Sequence, residues 1–108
     1  LFSIEKRMEH ILSLYENNEA VSVKKYTGLT VNFCHESNIN HIIRGLRNTK
    51  DFEYESSIAH MNHELKQIET VFFLTDLPLS AINSSIVREI YKGNGAITQF
   101  VTSPHLLV

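Results

Sequence analysis

The feature that most constrains this chain is the alternation of segments with helical spacing and segments of strand length. Apolar residues recur every three or four positions after Ser3, and short apolar or alternating runs separate the helical segments. Four helices are predicted, and three of them cover 3–16, 28–37 and 83–95. The remaining one, third in chain order, begins after an Asp51 cap and has Tyr54, Ile58, Met61 and Leu65 on one apolar stripe. The predicted strands are 20–26, 39–45 and 70–75. This order predicts an α/β domain with a parallel sheet and right-handed crossovers.

The run "TVFFLT" (70–75) is nearly continuous in apolar residues. Such runs are typical of parallel strands that are covered on both faces. A chain of 108 residues also has the size of one small domain, so we expect residues 1–108 to form a single domain.

Composition narrows the class of protein. No apolar run approaches the length of a membrane span, and a formal net charge of −2 gives no basic field for nucleic acid. The single cysteine, Cys34, has no internal disulfide partner, and no signal-peptide pattern opens the chain. We therefore expect a cytoplasmic protein whose partners are neither nucleic acid nor membrane, with any anion site formed locally.

Two arginines stand at the end of a predicted strand in "HIIRGLRNTKDFEYE" (41–55). Ligands of parallel sheets bind beyond the carboxyl ends of strands, and we expect the chain to turn sharply at Gly45. Arg44 and Arg47 would then lie at the ligand edge, where a planar guanidinium suits bidentate contact with phosphate. The same arginines could instead form surface ion pairs with Asp51 or Glu53.

Acids and hydroxyls mark the starts of two predicted helices. Asp51, Glu53 and Glu55 lie in the first turns of the third helix, where the helix dipole favours negative charge. The stretch "INSS" (82–85) opens the fourth helix, and its amide and hydroxyl groups suit an anion. Capping of that helix by Asn83 or Ser84 explains the same residues, so both interpretations stay open.

Other reactive residues have weaker patterns. His60 and His63 are three apart on a helix, but no third ligand follows at a recognisable spacing, so the sequence predicts no metal site. Cys34 has no assignable histidine partner, which favours a small buried thiol over a nucleophile.

Longer stretches carry a family likeness. The stretch "HIIRGLRNTKDFEYESSIAHMNHEL", then "ETVFFLT" and "SAINSSIVREI", resembles bacterial phosphopantetheine adenylyltransferase, as do "LFSIEKR", "YTGLTVNF" and "GAITQFV". The resemblance implies a Rossmann-like nucleotidyltransferase fold with a parallel sheet, here lacking the first two strands. It also implies adenylyl transfer from ATP to 4′-phosphopantetheine, with Mg²⁺, giving dephospho-coenzyme A and pyrophosphate in coenzyme A biosynthesis. Coenzyme A is a further candidate ligand, and the full-length family assembly is a homo-hexamer.

The resemblance also assigns site residues. Arg44 matches the arginine that contacts phosphopantetheine, and Leu29 and Thr30 match positions that line the pantetheine arm. The implied ATP-binding positions are Gly45, Leu46, Arg47, Glu55, Leu79, Ser80, Ala81, Ile82, Asn83, Ser84 and Ser85. Leu79, Ala81 and Asn83 replace two aromatic residues and a serine that are commoner in the family.

The family's signature is not found in these residues. Its glycine-phenylalanine-aspartate-proline stretch, its threonine-x-glycine-histidine motif and a substrate-binding lysine would lie ahead of Leu1. We expect a carboxy-terminal portion of a chain of roughly 150 residues, a poor catalyst alone, in which 20–26 and 39–44 do not pair directly. An inactive nucleotide- or coenzyme A-binding remnant of the family is the alternative.

Overall fold

The computed structural model describes residues 1–107, which form two compact units. The central unit comprises residues 26–81, and the terminal unit combines 1–25 with 82–107. The single domain expected for residues 1–108 stays a prediction.

The central unit contains a parallel two-stranded sheet and two helices. Its elements are α2 (Thr30–Glu36), β1 (His41–Leu46), α3 (Thr49–Lys66), β2 (Glu69–Leu74) and a 3₁₀ turn (Leu77–Leu79). The register of the sheet places His41 opposite Glu69 and Leu46 opposite Leu74, with α3 connecting the two strands. The predicted α/β class with a parallel sheet is confirmed, and both strands lie within a residue or two of their predicted bounds.

A small apolar core holds the central unit together. Val31 and Cys34 of α2 and Ile68 before β2 are buried, and Ile42 of β1 packs against them. Cys34 is only 4% exposed, which confirms the prediction of a buried cysteine.

The cap of α3 differs from the prediction. Asn48 is the N-cap, because its side-chain oxygen accepts a hydrogen bond from the Asp51 backbone N–H at 2.9 Å. Asp51 instead lies in the first turn, where its carboxylate is free to accept hydrogen bonds from Arg47. The prediction that Asp51 caps this helix is therefore wrong.

The terminal unit is built on two capped helices. Helix α1 (Ile4–Leu14) begins after Ser3, whose hydroxyl accepts from the Lys6 N–H at 3.1 Å. Helix α4 (Ser84–Lys92) begins after Asn83, whose side chain accepts from the Ile86 N–H at 2.9 Å. Both predicted helices are confirmed, and a 3₁₀ turn over Pro104–Leu106 follows.

The predicted strand 20–26 is not formed. Residues 21–27 have no regular secondary structure, and the sheet in the described part of the chain consists of β1 and β2 alone. A lone extended segment leaves its N–H and C=O groups without ladder partners, so β-branched residues alone do not make a strand. The expectation that 20–26 and 39–44 do not pair directly stays a prediction.

Strand β2 is covered on one face only, contrary to the prediction. Phe72 packs edge-on against Phe52 of α3, with ring centroids 6.0 Å apart. On the opposite face, Val71 and Phe73 are 42% and 60% exposed, because no described element of the central unit covers that side. The apolar stripe of α3 is likewise largely exposed.

None of the helices among residues 1–107 is both long and apolar enough to span a membrane.

Candidate functional site

A cavity of about 300 Å³ in the central unit collects the residues predicted to bind the pantetheine substrate. Leu29, Thr30 and Arg44 all line it, and Glu55 joins them from α3. Its walls are mainly apolar, and Asn62 and Thr70 add polar groups that the sequence analysis missed. Asn62 stands seven residues after Glu55, which is two helical turns, so this spacing was the signal that could have found it.

The start of α2 forms one side of this cavity. Gly28 has a φ of 84°, a left-handed conformation that glycine adopts without steric cost, and Leu29 follows with extended backbone angles. Thr30 then begins the helix, and its hydroxyl lies 2.5 Å from the Tyr26 hydroxyl. The Tyr26 ring stacks on Phe33 at 4.6 Å, which fixes this contact.

Strand β1 contributes Arg44 to the same cavity. The sharp turn predicted at Gly45 is wrong, because β1 continues to Leu46 and Gly45 pairs with Phe73 in the parallel register. The strand nevertheless ends two residues after Arg44. The arginine therefore lies near the carboxyl end of the sheet, as the sequence predicted.

Arg44 and Glu55 form a bidentate ion pair. Arg44 Nε donates to Glu55 Oε2 at 2.9 Å, and Arg44 Nη2 donates to Oε1 at 2.6 Å. The hydrogen bonds from Arg44 lower the pKa of Glu55, although burial opposes this shift. The same hydrogen bonds raise the pKa of Arg44. Both groups are therefore charged in the folded protein near neutral pH.

Arg47 forms a second pair with the first turn of α3. Its Nε and Nη2 donate to the two oxygens of Asp51 at 2.9 and 3.1 Å, and its backbone N–H donates to Oδ2 at 3.1 Å. These hydrogen bonds lower the pKa of Asp51. The ion-pair interpretation is thus confirmed for Arg47 with Asp51. Arg44 pairs with Glu55 instead, and Glu53 is exposed.

The other ATP positions predicted in the central unit lie apart from this cavity lining. Gly45, Leu46 and Arg47 follow Arg44 at the end of β1, and among the lining residues only Glu55 belongs to the predicted ATP set. Leu79 ends the 3₁₀ turn, and Ser80 donates its hydroxyl to the Leu77 carbonyl at 2.8 Å. Ala81 is exposed.

The remaining predicted ATP positions belong to the terminal unit. Ile82, Asn83 and Ser84 line a cavity of about 560 Å³ at the start of α4, and Ser85 follows in the first turn. Asn83 is the cap, so the capping interpretation of "INSS" is confirmed, while anion binding there stays a prediction.

The sequence analysis missed two arginines that line the same cavity, Arg7 and Arg88. Among residues 1–107, the hydrogen-bond partners of their side chains are uncharged oxygens: Arg7 Nε donates to the Ser3 carbonyl at 3.4 Å, and Arg88 Nη2 donates to the Ser85 hydroxyl at 3.1 Å. Arg88 follows Ser84 by one helical turn, and this spacing was the available signal.

No group of three or more His, Cys, Asp or Glu side chains in residues 1–107 fits a metal ion. His63 instead lies 3.2 Å from Glu69 through Nε2 and Oε1.

Comparison with known proteins gives consistent matches. The cytidylyltransferase-like family matches residues 1–90. The phosphopantetheine adenylyltransferase of Bacteroides thetaiotaomicron is 43% identical over 100 residues, covering 93% of this chain and 66% of that protein. The same enzyme of Flavobacterium psychrophilum is 44% identical over 95 residues, covering 88% and 63%. That of Porphyromonas gingivalis is 37% identical over 107 residues, covering 99% and 70%.

The chain thus spans 66% and 63% of the Bacteroides and Flavobacterium relatives. A family match over most of the chain, together with these identities, shows descent from one family. The chain belongs to the phosphopantetheine adenylyltransferase family, within the cytidylyltransferase-like proteins.

Proposed function

We propose that the full-length protein containing these residues is a phosphopantetheine adenylyltransferase of coenzyme A biosynthesis. A phosphate oxygen of 4′-phosphopantetheine attacks the α-phosphorus of ATP, a new P–O bond forms, and pyrophosphate leaves with the electrons of the broken bond. The products are dephospho-coenzyme A and pyrophosphate. The observation that carries the proposal is the cavity in which Leu29, Thr30 and Arg44 meet, in a chain 37% to 45% identical to enzymes of that name.

The cavity suits the acceptor substrate chemically. A guanidinium at its edge complements a terminal phosphate, and apolar side chains of Ile42, Ile58 and Leu65 can pack along the pantetheine arm. The amide of Asn62 can exchange hydrogen bonds with the amides of that arm. Arg44 is therefore proposed to hold the acceptor phosphate for in-line attack.

From the family resemblance, Gly45, Leu46 and Arg47 are proposed as ATP-contacting positions, and the segment 79–85 is proposed as a further one. Arg47 supplies positive charge there, and the first turn of α4 has the amide groups and dipole that favour phosphate oxygens. Transfer of this kind depends mainly on positioning and on charge stabilisation.

Mg²⁺ is proposed only as the companion of ATP. The described residues contain no cluster of three candidate ligands, and the carboxylates of Asp51 and Glu55 already pair with arginines. This fits a metal whose ligands are mostly phosphate oxygens and water, as is common for Mg²⁺ with nucleotides. When bound, the ion would neutralise phosphate charge.

Cytoplasmic location, a homo-hexameric assembly and binding of coenzyme A are also proposed from the family resemblance. Sedimentation of the purified full-length protein tests the assembly, since a hexamer has six times the mass of the chain.

The proposed activity is tested by pyrophosphate release from ATP and 4′-phosphopantetheine, with dephospho-coenzyme A identified by mass. We expect saturable release, and Arg44→Ala should raise KM for 4′-phosphopantetheine. Lys50→Ala removes a positive charge from an exposed position of α3 and is the control. Absence of release from a folded protein would contradict the proposal.

The replaced residues Leu79, Ala81 and Asn83 favour a second candidate, an inactive remnant that binds nucleotide or coenzyme A. Calorimetric titration with ATP and coenzyme A distinguishes it. Binding without pyrophosphate release would support the remnant, and turnover would exclude it.

A further inference from the structure

The Arg44–Glu55 pair uses one particular edge of the guanidinium. The two carboxylate oxygens of Glu55 accept from Nε and Nη2 of Arg44, at 2.9 and 2.6 Å. A guanidinium has five N–H donors, so this contact leaves three, which include both hydrogens of Nη1. The edge formed by Nη1 and Nη2 can still bind two phosphate oxygens side by side.

The two partners differ in exposure. The Glu55 side chain is 12% exposed, whereas that of Arg44 is 53% exposed, and both line the cavity of about 300 Å³ in the central unit. Glu55 has each oxygen engaged and little surface left for a second partner. Arg44 has unused donors and an accessible surface.

A second carboxylate of helix α3 forms the same arrangement with Arg47, the first residue after β1. Asp51 engages Nε and Nη2 of Arg47, which is the same edge that Glu55 takes on Arg44. Carboxylates of one helix therefore orient both Arg44, near the end of β1, and Arg47, just after it. A flexible side chain held this way is preorganised, because less conformational entropy is lost when it binds a ligand.

From this geometry we infer that Glu55 is a positioning residue for Arg44, which fixes the guanidinium so that its free edge binds the phosphate of 4′-phosphopantetheine. The inference rests on the proposed function and assigns Glu55 a role on the acceptor side. It differs from the role implied by the family resemblance, in which Glu55 contacts ATP. The two roles predict losses of affinity for different substrates.

The test is calorimetric binding of each substrate to the full-length protein, because binding is measurable whether or not the protein turns over. In Glu55→Gln, the Kd for 4′-phosphopantetheine should rise roughly tenfold, as expected for weakened charge-assisted hydrogen bonds. The Kd for ATP should change less than about twofold, which is within the effect of a change away from the site. Glu53→Gln, the same chemical change at an exposed position two residues earlier on α3, should leave both constants unchanged.

A double-mutant cycle separates positioning from a direct contact. If Glu55 acts through Arg44, adding Glu55→Gln to Arg44→Ala should produce no further loss of 4′-phosphopantetheine affinity. Glu55→Asp retains the charge but shortens the reach, so it should weaken binding less than Glu55→Gln. It also provides the test if the glutamine variant does not fold.

Several outcomes would overturn the inference. In Glu55→Gln, a higher Kd for ATP alone, equal increases in Kd for both substrates, or no change in either Kd would each contradict it. So would a Glu55→Gln effect on the Kd for 4′-phosphopantetheine that is undiminished in the Arg44→Ala background. A wild-type protein that binds 4′-phosphopantetheine but releases no pyrophosphate would refute the proposed function. The role of Glu55 could still be decided, because its test measures Kd and not turnover. A wild-type protein that does not bind 4′-phosphopantetheine refutes both.

Discussion

At the scale of single residues, Arg47 is the side chain whose proposed role differs most from what its contacts show. In the structure its guanidinium is engaged by Asp51, and its proposed ligand is ATP. Arg47→Ala should therefore raise KM for ATP by about tenfold or more, the usual effect of removing a charged hydrogen-bond donor. KM for 4′-phosphopantetheine should change little. Steady-state kinetics with Lys50→Ala as the control checks this, and unchanged ATP kinetics would remove Arg47 from the site.

The Arg44–Glu55 pair should make stability depend on pH. Hydrogen bonding to Arg44 lowers the pKa of folded Glu55 below the ordinary value of 4.5, so the pair stabilises the fold fully above that pH. The contribution is lost as the pH falls through the lowered pKa. We expect wild type to exceed Glu55→Gln by about 0.2–1 kcal/mol in unfolding free energy at pH 7, because Arg44 is half exposed.

Urea unfolding of both proteins between pH 7 and pH 3 measures this difference. The difference should shrink below pH 4.5, and Arg44→Ala should show the same loss. A difference that stays constant over this range would show that the pair contributes no pH-dependent stability.

Some of these contacts were predictable from the sequence and others were not. Arg47 and Asp51 are four residues apart, so local spacing was enough to suggest their pair. Arg44 and Glu55 are eleven residues apart on a strand and a helix, and only the packing of α3 beside β1 brings them together. The sequence analysis accordingly named only Asp51 and Glu53 as possible ion-pair partners of Arg44.

At the scale of elements, the caps decide where helices begin. Asn83→Ala removes the side chain that accepts from the Ile86 N–H, and should lower the unfolding free energy by about 0.5–2 kcal/mol. Asn83→Ser keeps a capping oxygen and restores the residue commoner in the family, so it should stay close to wild type. Urea unfolding distinguishes these variants. Equal stability of all three would show that the cap does not contribute.

The end of α4 gives a second prediction. A Cβ added to Gly95 would lie 2.6 Å from Ile90 Cγ2 and 3.1 Å from the Ile90 carbonyl, so Gly95→Ala should destabilise the protein by about 1–3 kcal/mol. Gly93→Ala is the matched control, because its Cβ would meet the Glu89 carbonyl at 3.4 Å. Thermal unfolding should show a clearly lower Tm for Gly95→Ala than for Gly93→Ala. Similar values would mean that Ile90 moves aside at little cost.

Helices were more predictable than strands for a physical reason. Each helix pairs its own backbone groups, so the spacing of apolar residues was enough to predict α1, α3 and α4 within a few residues, even though the cap of α3 was misassigned. A strand needs a neighbour, so the β-branched run at 20–26 gave a strand-like pattern but no strand. The apolar run of β2 likewise predicted cover on both faces, but the cover of a strand depends on neighbouring elements, which the run itself does not specify.

At the scale of the whole molecule, the central unit exposes apolar side chains on the sheet face opposite α3. Ile43 is 68% exposed and Phe73 is 60% exposed, and Val71 lies opposite Ile43 in the register. Soluble domains rarely leave such a face open to water. Composition and periodicity therefore predicted the class of fold correctly. They did not predict which side chains of the sheet are buried, because burial depends on the elements that lie beside each strand.

The single domain expected for residues 1–108 gives the last prediction. A single cooperative domain opens globally as one unit, so its most protected amides share one free energy of opening. We expect the slowest-exchanging amides of α1 and α4 in the terminal unit to match those of α3 and β2 in the central unit. Native-state hydrogen exchange of the full-length protein at increasing urea measures both sets in one experiment. Two distinct opening free energies, each constant within its own unit, would instead mean that the two compact units are separate domains that unfold independently.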